Sequence, residues 1–444
     1  MNLLIFNFFS IIFISLKLVS ASGYQCQGPI KLTPPEDLNK IVYWPSIWND
    51  SMPPVQFATQ QNCEWQITVP TGLFATAVFY RDAPTSIGIS VEFPNGYSEG
   101  LDNNDHYPFI FTSPMFKVKL YKSAKQGQFS FKVTWSKYPD APINHICLMK
   151  GGNPVAQSPN SSITVFTAET NVSFLAFSLK NASHYPLLRQ SAIYDGDSTS
   201  GNFLGNLYAA MMQGKAVIST GRNLAINTFG LYNLFNYTLY MAQDHSNDQN
   251  VLKYEGKNCP SDYKCRVTLN ALSGRAVIVT SGNQPEFITG IDNFPDNSTL
   301  KIYEGVISTN TLVTTLTKAN YQYRLPMELK NTIHQYVLDD KLLDIELSRD
   351  VNNGYVTGNP ISSASTATIP TSATSAAVTA FSSSSGVSSV STTSSKFSMT
   401  TTNTDLTTIF GLETTTKSSP TRFVILVILF SNFIIFLQEN QFML

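Results

Sequence analysis

The sequence predicts an all-β protein, tandem β-sandwiches followed by a disordered Ser/Thr-rich stalk. Three observations carry this. Apolar and polar residues alternate with period two over many short stretches, each bounded by Pro, Gly or Asn. Strong amphipathic helical patterns are scarce ahead of Thr357. From Thr357 to Thr421 the composition shifts to Ser and Thr with very few bulky apolar or charged residues, too little to bury for folding.

The chain opens on an apolar run, Leu3–Ile14, too short to span a bilayer and followed by the small residues Val19-Ser20-Ala21. Residues 1–21 therefore read as a secretory signal, with a buried N-terminal helix as the plainer alternative. A secreted chain meets an oxidising compartment. Five cysteines are present, Cys26, Cys63, Cys147, Cys259 and Cys265, and five is odd. Cys26–Cys63 and Cys259–Cys265 are the pairings taken first, which leaves Cys147 over. Spacing does not determine connectivity, so pairing of Cys147 with Cys259 or Cys265 stays open.

The first folded block spans residues 22–140. Cys63–Asp82 reads as a strand, a Pro70-Thr71-Gly72 turn and a second strand, with Leu73, Ala75, Ala77 and Phe79 sharing one face. Phe116, Val118 and Leu120, then Phe129, Phe131, Val133 and Trp135, alternate as cleanly. Tyr43, Trp44 and Trp48 could form an exposed sugar platform, but aromatics bury large areas and core packing is the preferred reading. Asp102–Asp105 with His106 reads as a solvated loop, and Asp339-Asp340-Lys341 as a turn between strands.

A second block spans 144–244 and a third 250–349. A diffuse repeat of about a hundred residues runs through them. In one register Cys265–Leu269 and Arg275–Thr280 repeat Cys63–Tyr80, and in another Leu300–Gly305 parallels Ala192–Gly196. Six Asn-x-Ser/Thr triplets, at Asn49, Asn160, Asn171, Asn181, Asn236 and Asn297, mark N-glycosylation candidates, and none lies in the tail. The stalk, 357–421, suits a mucin-like O-glycosylated segment, with a plain flexible linker as the alternative. Residues 423–437, FVILVILFSNFIIFL, would make a helix of about 22 Å against a hydrocarbon core of roughly 30 Å. Lys417 and Arg422 precede this run and nothing basic follows it, which reverses the positive-inside bias. A glycolipid-anchor signal is favoured over a single spanning helix.

Cys63-x-Trp65-x-Ile67, with Pro70 and Gly72 ahead of an apolar strand, resembles the second cysteine and following strands of a CUB domain, and Cys26 would stand for the first cysteine. Tyr194-Asp195-Gly196 with Phe203-Leu204-Gly205, and Ser219 through Asn223 to Leu224, resemble later CUB elements. With the signal, stalk and hydrophobic end, the chain is similar to the CUB-like domain family of secreted and surface nematode proteins. The resemblance covers about residues 24–347 and is clearest over 26–136. It implies tandem CUB-like jelly-roll sandwiches that bind partners without chemistry, at the cell surface or in membrane rafts, in innate immune responses to pathogens. The second cysteine pair of ordinary CUB domains is missing from every block. Asp195 lies in the wrong element for their calcium site, and the loop Gly230–Phe235 supplies no acid, so that site is not carried over.

No enzyme, metal or cofactor is read from the residues. Gly196-Asp197-Ser198 echoes a serine-protease nucleophile motif but lacks the glycine of the oxyanion loop, and the histidines, 106, 145, 184, 245 and 334, are scattered. Asp195-Gly196-Asp197 fails EF-hand spacing and reads as a turn. No Cys/His cluster has zinc spacing. Net charge is -1, so no basic excess draws a phosphate backbone and nucleic acid is not an expected partner. The expected partners are an extracellular protein or glycan ligand and, through the C-terminal anchor, the plasma membrane. The alternatives are a structural or adhesion protein of a lumenal surface coat and, behind it, a secreted hydrolase using Asp197 and Ser198.

Overall fold

A computed structural model describes residues 23–26, 28–103, 105–121, 126–260, 264–330 and 333–350. The signal (1–21), stalk (357–421) and C-terminal apolar run (423–437) expected from the sequence lie outside these residues.

The first sandwich has ten strands: β1 (Ile30–Leu32), β2 (Val42–Trp44), β3 (Gln56–Phe57), β4 (Cys63–Thr68), β5 (Leu73–Asp82), β6 (Ile89–Glu92), β7 (Ser98–Gly100), β8 (Phe109–Phe111), β9 (Met115–Leu120) and β10 (Gly127–Lys137). Alternation along β4 puts Cys63, Trp65 and Ile67 inward, and on β9 it does the same for Phe116, Val118 and Leu120. The outward lysines of β9 pair with Glu92 on β6, Lys117 Nζ at 3.0 Å. Between β5 and β10, small faces large: Ala75 lies opposite Trp135 and Ala77 opposite Val133. The turn joining β4 to β5 closes with Leu73 N donating to Pro70 O at 3.1 Å, and Gly72 sits at φ +84°, where a side chain would be strained. Trp44 packs on Trp65 and Phe131, and Trp48 donates Nε1–H to Met52 O, so both rings are packing elements.

The second sandwich contains β11 (Ile143–Leu148), β12 (Val155–Gln157), β13 (Ile163–Ala168), β14 (Val172–Ala176), β15 (Ala192–Asp195), β16 (Asn202–Gly205), β17 (Val217–Ile218), β18 (Asn223–Asn227) and β19 (Tyr240–Asp244). It also carries a 3₁₀ helix, Ala182–Arg189, and a short α1 (Leu207–Gln213) capped by Asn206. The third contains β20 (Lys253–Lys257), β21 (Cys265–Ala271), β22 (Ala276–Ser281), β23 (Glu286–Asp292), β24 (Thr299–Glu304), β25 (Leu312–Thr317), β26 (Met327–Leu329), β27 (Ile333–Leu338) and β28 (Lys341–Ser348), with a single-turn α2 (Tyr321–Arg324).

One strand plan is used three times. The five-stranded order β1-β4-β9-β6-β7 recurs as β11-β13-β18-β15-β16 and as β20-β22-β27-β24-β25. The facing sheet β2-β10-β5-β8 recurs as β12-β19-β14-β17 and as β21-β28-β23-β26. In each sandwich the first strand lies parallel on an edge, β1 on β4, β11 on β13 and β20 on β22. This corrects one repeat register. The counterpart of Cys63–Thr68 is Ala276–Ser281, not Cys265–Leu269, which takes the place of β2. Local alternation shows that a segment is a strand; it does not show which sheet the strand joins. The other register, Leu300–Glu304 with Ala192–Asp195, matches the topology.

Sulfur bridges join Cys26 to Cys63 (Cα–Cα 5.6 Å) and Cys259 to Cys265 (Cα–Cα 5.4 Å), while Cys147 is a free, exposed thiol. The two bridges are not equivalent: the first ties the N-terminal segment to β4, the second closes the connection into β21.

The middle sandwich is covered on both faces over its central strands, while edge strand β11 stays exposed. Val165, Tyr194, Phe203 and Ala225 turn outward from its five-stranded sheet and join the core of the first sandwich. Leu175, Phe177 and Met241 turn outward from its other sheet and pack on Tyr254, Val277, Val279 and Val337 of the third. Strands β14, β19, β22 and β27 are accordingly buried at every position, mostly apolar but with Gln243, Asp244, His334 and Gln335 among them. At the second seam Gln243 Nε2 donates to Tyr254 Oη (2.9 Å), Tyr254 Oη to Gln335 Oε1 (2.7 Å), and Gln335 Nε2 to Gly305 O (2.6 Å). Gly256 sits where Phe177 crosses: a Cβ there would fall 2.6 Å from the Phe177 ring and 2.8 Å from Ala176 O. The far sheet of the third sandwich alternates instead, with Arg266 Nη2 2.7 Å from Asp344 Oδ2 on its open face.

Inside the third sandwich Glu286 is fully buried. It accepts hydrogen bonds from Thr280 Oγ1 (2.6 Å), Tyr336 Oη and Arg349 Nη2 (2.9 Å). His334, between Thr280 and Glu304 in the sheet, is 1% exposed, and neither ring nitrogen has a hydrogen-bond partner. Burial holds its pKa below 6.5, against the pull of Glu286 and Glu304 and with the push of Arg349. Above pH 6.5 the ring is neutral folded and unfolded; as pH falls below 6.5 the unfolded chain takes the proton first. Stability of the third sandwich should then fall by up to about 1.4 kcal/mol per pH unit, levelling below the folded-state pKa. Urea denaturation of wild type and His334→Leu between pH 7.5 and 5 checks this, with other titrations cancelling in the difference. Parallel pH profiles for the two proteins would refute it.

Candidate functional site

Arg189 ends the 3₁₀ helix of the second sandwich and points into the first. Its guanidinium is 3% exposed. Nε donates to Glu99 Oε1 and Nη1 to Asp105 Oδ2, both at 2.6 Å. The same plane lies over the Phe109 ring at 4.2 Å and the Tyr208 ring at 4.7 Å. Burial opposes its charge, but the two carboxylates outweigh this and raise its pKa. Burial pushes the Glu99 carboxyl up to about 7, against the pull of the Arg189 cation beside it. Asp102, Asn103 and His106 are exposed, as expected of a solvated loop, and Asp105 departs from that reading. Asp105 is a buried partner of Arg189, and His106 stacks on Tyr80 at 5.1 Å, with Nδ1 3.2 Å from Phe79 O. The partner stands 84 residues away, beyond the reach of any local pattern.

Beside this clamp the seam is aromatic. Phe74 packs on Phe229 (4.8 Å) and Phe93 on Phe203 (6.0 Å), while Asn95 Nδ2 donates to Leu204 O at 2.7 Å. Where the two sandwiches part, a cleft of about 320 Å³ opens. Its walls are the turn Thr71–Leu73, Pro94–Asn95 and Thr112–Pro114 from the first sandwich, and Thr199–Phe203 from the second; Tyr138 and Tyr194 complete it. The two tyrosine oxygens are 2.9 Å apart. Burial raises both their pKa values, that of Tyr194 well above 10, so both hydroxyls stay protonated. No Asp, Glu, Lys, Arg or His lines the cleft. Thr112 is 2% exposed, and its Oγ1 has no hydrogen-bond partner.

The residues singled out in the sequence do not converge on chemistry. Ser198 Oγ bonds Ser200 Oγ at 2.8 Å, and Asp195 accepts from Thr220 N at 2.9 Å, closing the turn. His245 pairs with Asp248, and His334 lies in the third core. Among the described residues no group of three or more His, Cys, Asp or Glu could hold a metal ion, and no helix is long and apolar enough to cross a membrane. Of the sequons, Asn49, Asn181, Asn236 and Asn297 are exposed and Asn160 is half-buried. Asn171 is half-buried, and its Nδ2 reaches Ser219 O (3.0 Å), Thr220 O (3.0 Å) and Gly221 O (3.4 Å), committing that amide to a loop.

Residues 21–139 match the family model described as CUB-like domain. Residues 152–229 and 246–350 match two models described as domains of unknown function, DUF7592 and DUF7591. The chain matches no curated protein. Among solved structures it is similar to the CUB1-EGF-CUB2 domains of rat MASP-1, at 6% identity and TM-score 0.20, over 72% of this chain and 99% of that one. The same domains of human MASP-1/3 give 8% identity and TM-score 0.19, over 70% and 98%. The extracellular region of zebrafish Gpr126/Adgrg6 gives 10% identity and TM-score 0.19, over 73% and 53%. Scores this low say nothing about what the chain does.

Removing Arg189 would leave two carboxylates facing each other without a cation. Arg189→Met should cost about 3–5 kcal/mol, and Glu99→Gln added to it should restore part of that. Urea denaturation of the single and double variants measures both, and a single-variant loss under about 0.5 kcal/mol would show that the seam does not depend on the clamp.

Proposed function

We infer that the chain is an extracellular, non-catalytic binding protein that takes its ligand in the cleft between the first two sandwiches. The cleft carries this reading: it is concave, built from six separate segments of the chain, and lies beside the aromatic seam between the two sandwiches. The CUB-like match over 21–139 and two bridged cysteine pairs suit an oxidising, extracellular setting. The leading apolar run, the Ser/Thr-rich stretch and the apolar C-terminal run support display from the plasma membrane through a glycolipid anchor, in raft-like membrane, with a single spanning helix as the alternative. Recognition of pathogen surfaces in innate defence is the role this arrangement suits.

Asn202→Trp would fill the cleft from its exposed rim without touching either core. Binding of the secreted ectodomain to a panel of bacterial and fungal surface preparations should be saturable for at least one member and fall at least tenfold in the variant. Binding equal in both proteins, or none that saturates, would favour the structural-coat alternative. Glycan sites separate by exposure: peptide mapping of the secreted protein should find Asn49, Asn181, Asn236 and Asn297 occupied and Asn171 bare. A glycan on Asn171 would refute the last expectation, because a glycosylated Nδ2 keeps one N–H and could not hold all three carbonyls.

A further inference from the structure

We propose that the cleft takes an uncharged carbohydrate, one or two sugar rings at the end of a glycan. This rests on the cleft being the ligand site and adds the ligand's class.

The chemistry of the walls selects for it. Thr71, Ser113 and Thr199 offer hydroxyls and Asn202 offers an amide, while Ser200 shares its hydroxyl with Ser198 and Asn95 is held by Leu204 O and Tyr97 N. A hydroxyl both donates and accepts, so such a surface matches ligand hydroxyls in either sense. A charged ligand would fare badly, because nothing ionised lines the cleft and both tyrosines keep their protons. A phosphate, a sialic acid or a basic peptide would give up water and meet no counter-charge. A wholly apolar ligand would strip water from the same hydroxyls without replacing it. Pro94 and Pro114 supply apolar surface, and a pyranose ring presents a C–H face to such surface while its rim stays polar.

Two further observations narrow the fit. Thr112 is a lining residue whose Oγ1 is buried with no protein partner, and a ligand hydroxyl that displaced the wall enough to reach it would satisfy it. At about 320 Å³ the cleft stands at the low end of the roughly 300–1,000 Å³ typical of ligand clefts, which suits a chain terminus rather than a folded partner.

The test uses the secreted ectodomain on an array of neutral oligosaccharides, their sialylated, sulfated and phosphorylated counterparts, and uncharged peptides, with hits followed by calorimetric titration. Saturable binding confined to neutral sugars is expected. Thr112→Val should weaken it about tenfold at an unchanged denaturation midpoint, and Asn202→Asp should weaken it by desolvating a new charge. Binding only to acidic glycans or only to peptides, lost in Asn202→Trp, would overturn the ligand class and leave the cleft as the site. Binding indifferent to Asn202→Trp would overturn both, and no saturable binding to any probe would overturn the carbohydrate proposal.

Discussion

The second sandwich turns the outer faces of its central strands away from water, leaving edge strand β11 exposed, and most of the described structure follows from that. A sandwich hides the inner faces of its two sheets and ordinarily leaves the outer faces wet. Here both outer faces of the middle unit are apolar, with Val165, Ala225 and Phe203 on one side and Leu175, Phe177 and Met241 on the other. Exposing either would leave a contiguous apolar patch of the kind that drives aggregation. The first and third units are thus structural partners of the second, and the three family matches, 21–139, 152–229 and 246–350, mark parts of one packed assembly.

The two seams are built differently. The second is strand-on-strand, with Phe177 bridging to Gly256 and a Gln243–Tyr254–Gln335 chain of hydrogen bonds through it. The first is made by loop ends of one sandwich on a sheet face of the next, clamped by Arg189 between Glu99 and Asp105. Loop ends leave gaps that flat sheets do not. The cleft is a product of that geometry: Asn95 and Phe203 hold the units together along its wall, and the hydroxyl-bearing turns diverge beside them.

Much of the fold was legible in the sequence because alternation is a local signal. Cys63–Thr68, Met115–Leu120 and Gly127–Lys137 announce their buried faces by period two, and Pro70-Thr71-Gly72 announces its turn. What remained hidden depends on distant partners. Which sheet Cys265–Ala271 joins is decided by pairing with Lys341–Ser348, and the alternation of either strand is silent on it. The clamp left no trace: Arg189 is a single cation after two leucines, and its acids lie in polar stretches that resemble any loop. The cleft was equally unreadable, since Thr71, Thr112 and Ser200 are common turn residues, and only the fold brings them to one place. The YDG segment was noticed as a turn, but the part its Tyr194 plays in lining the cleft comes from Tyr138, 56 residues away.

Arg349 has a consequence for how the protein bears tension. It is the residue after β28, and it is bolted to Glu286 on the neighbouring strand. Strand β28 is internal, bonded to β21 on one flank and to β23 on the other. A pull applied along the chain beyond Asp350 would meet both ladders lengthwise, so their bonds must yield together instead of peeling one at a time. The C-terminal end of the described residues is thereby held by two ladders and the Arg349–Glu286 contact together.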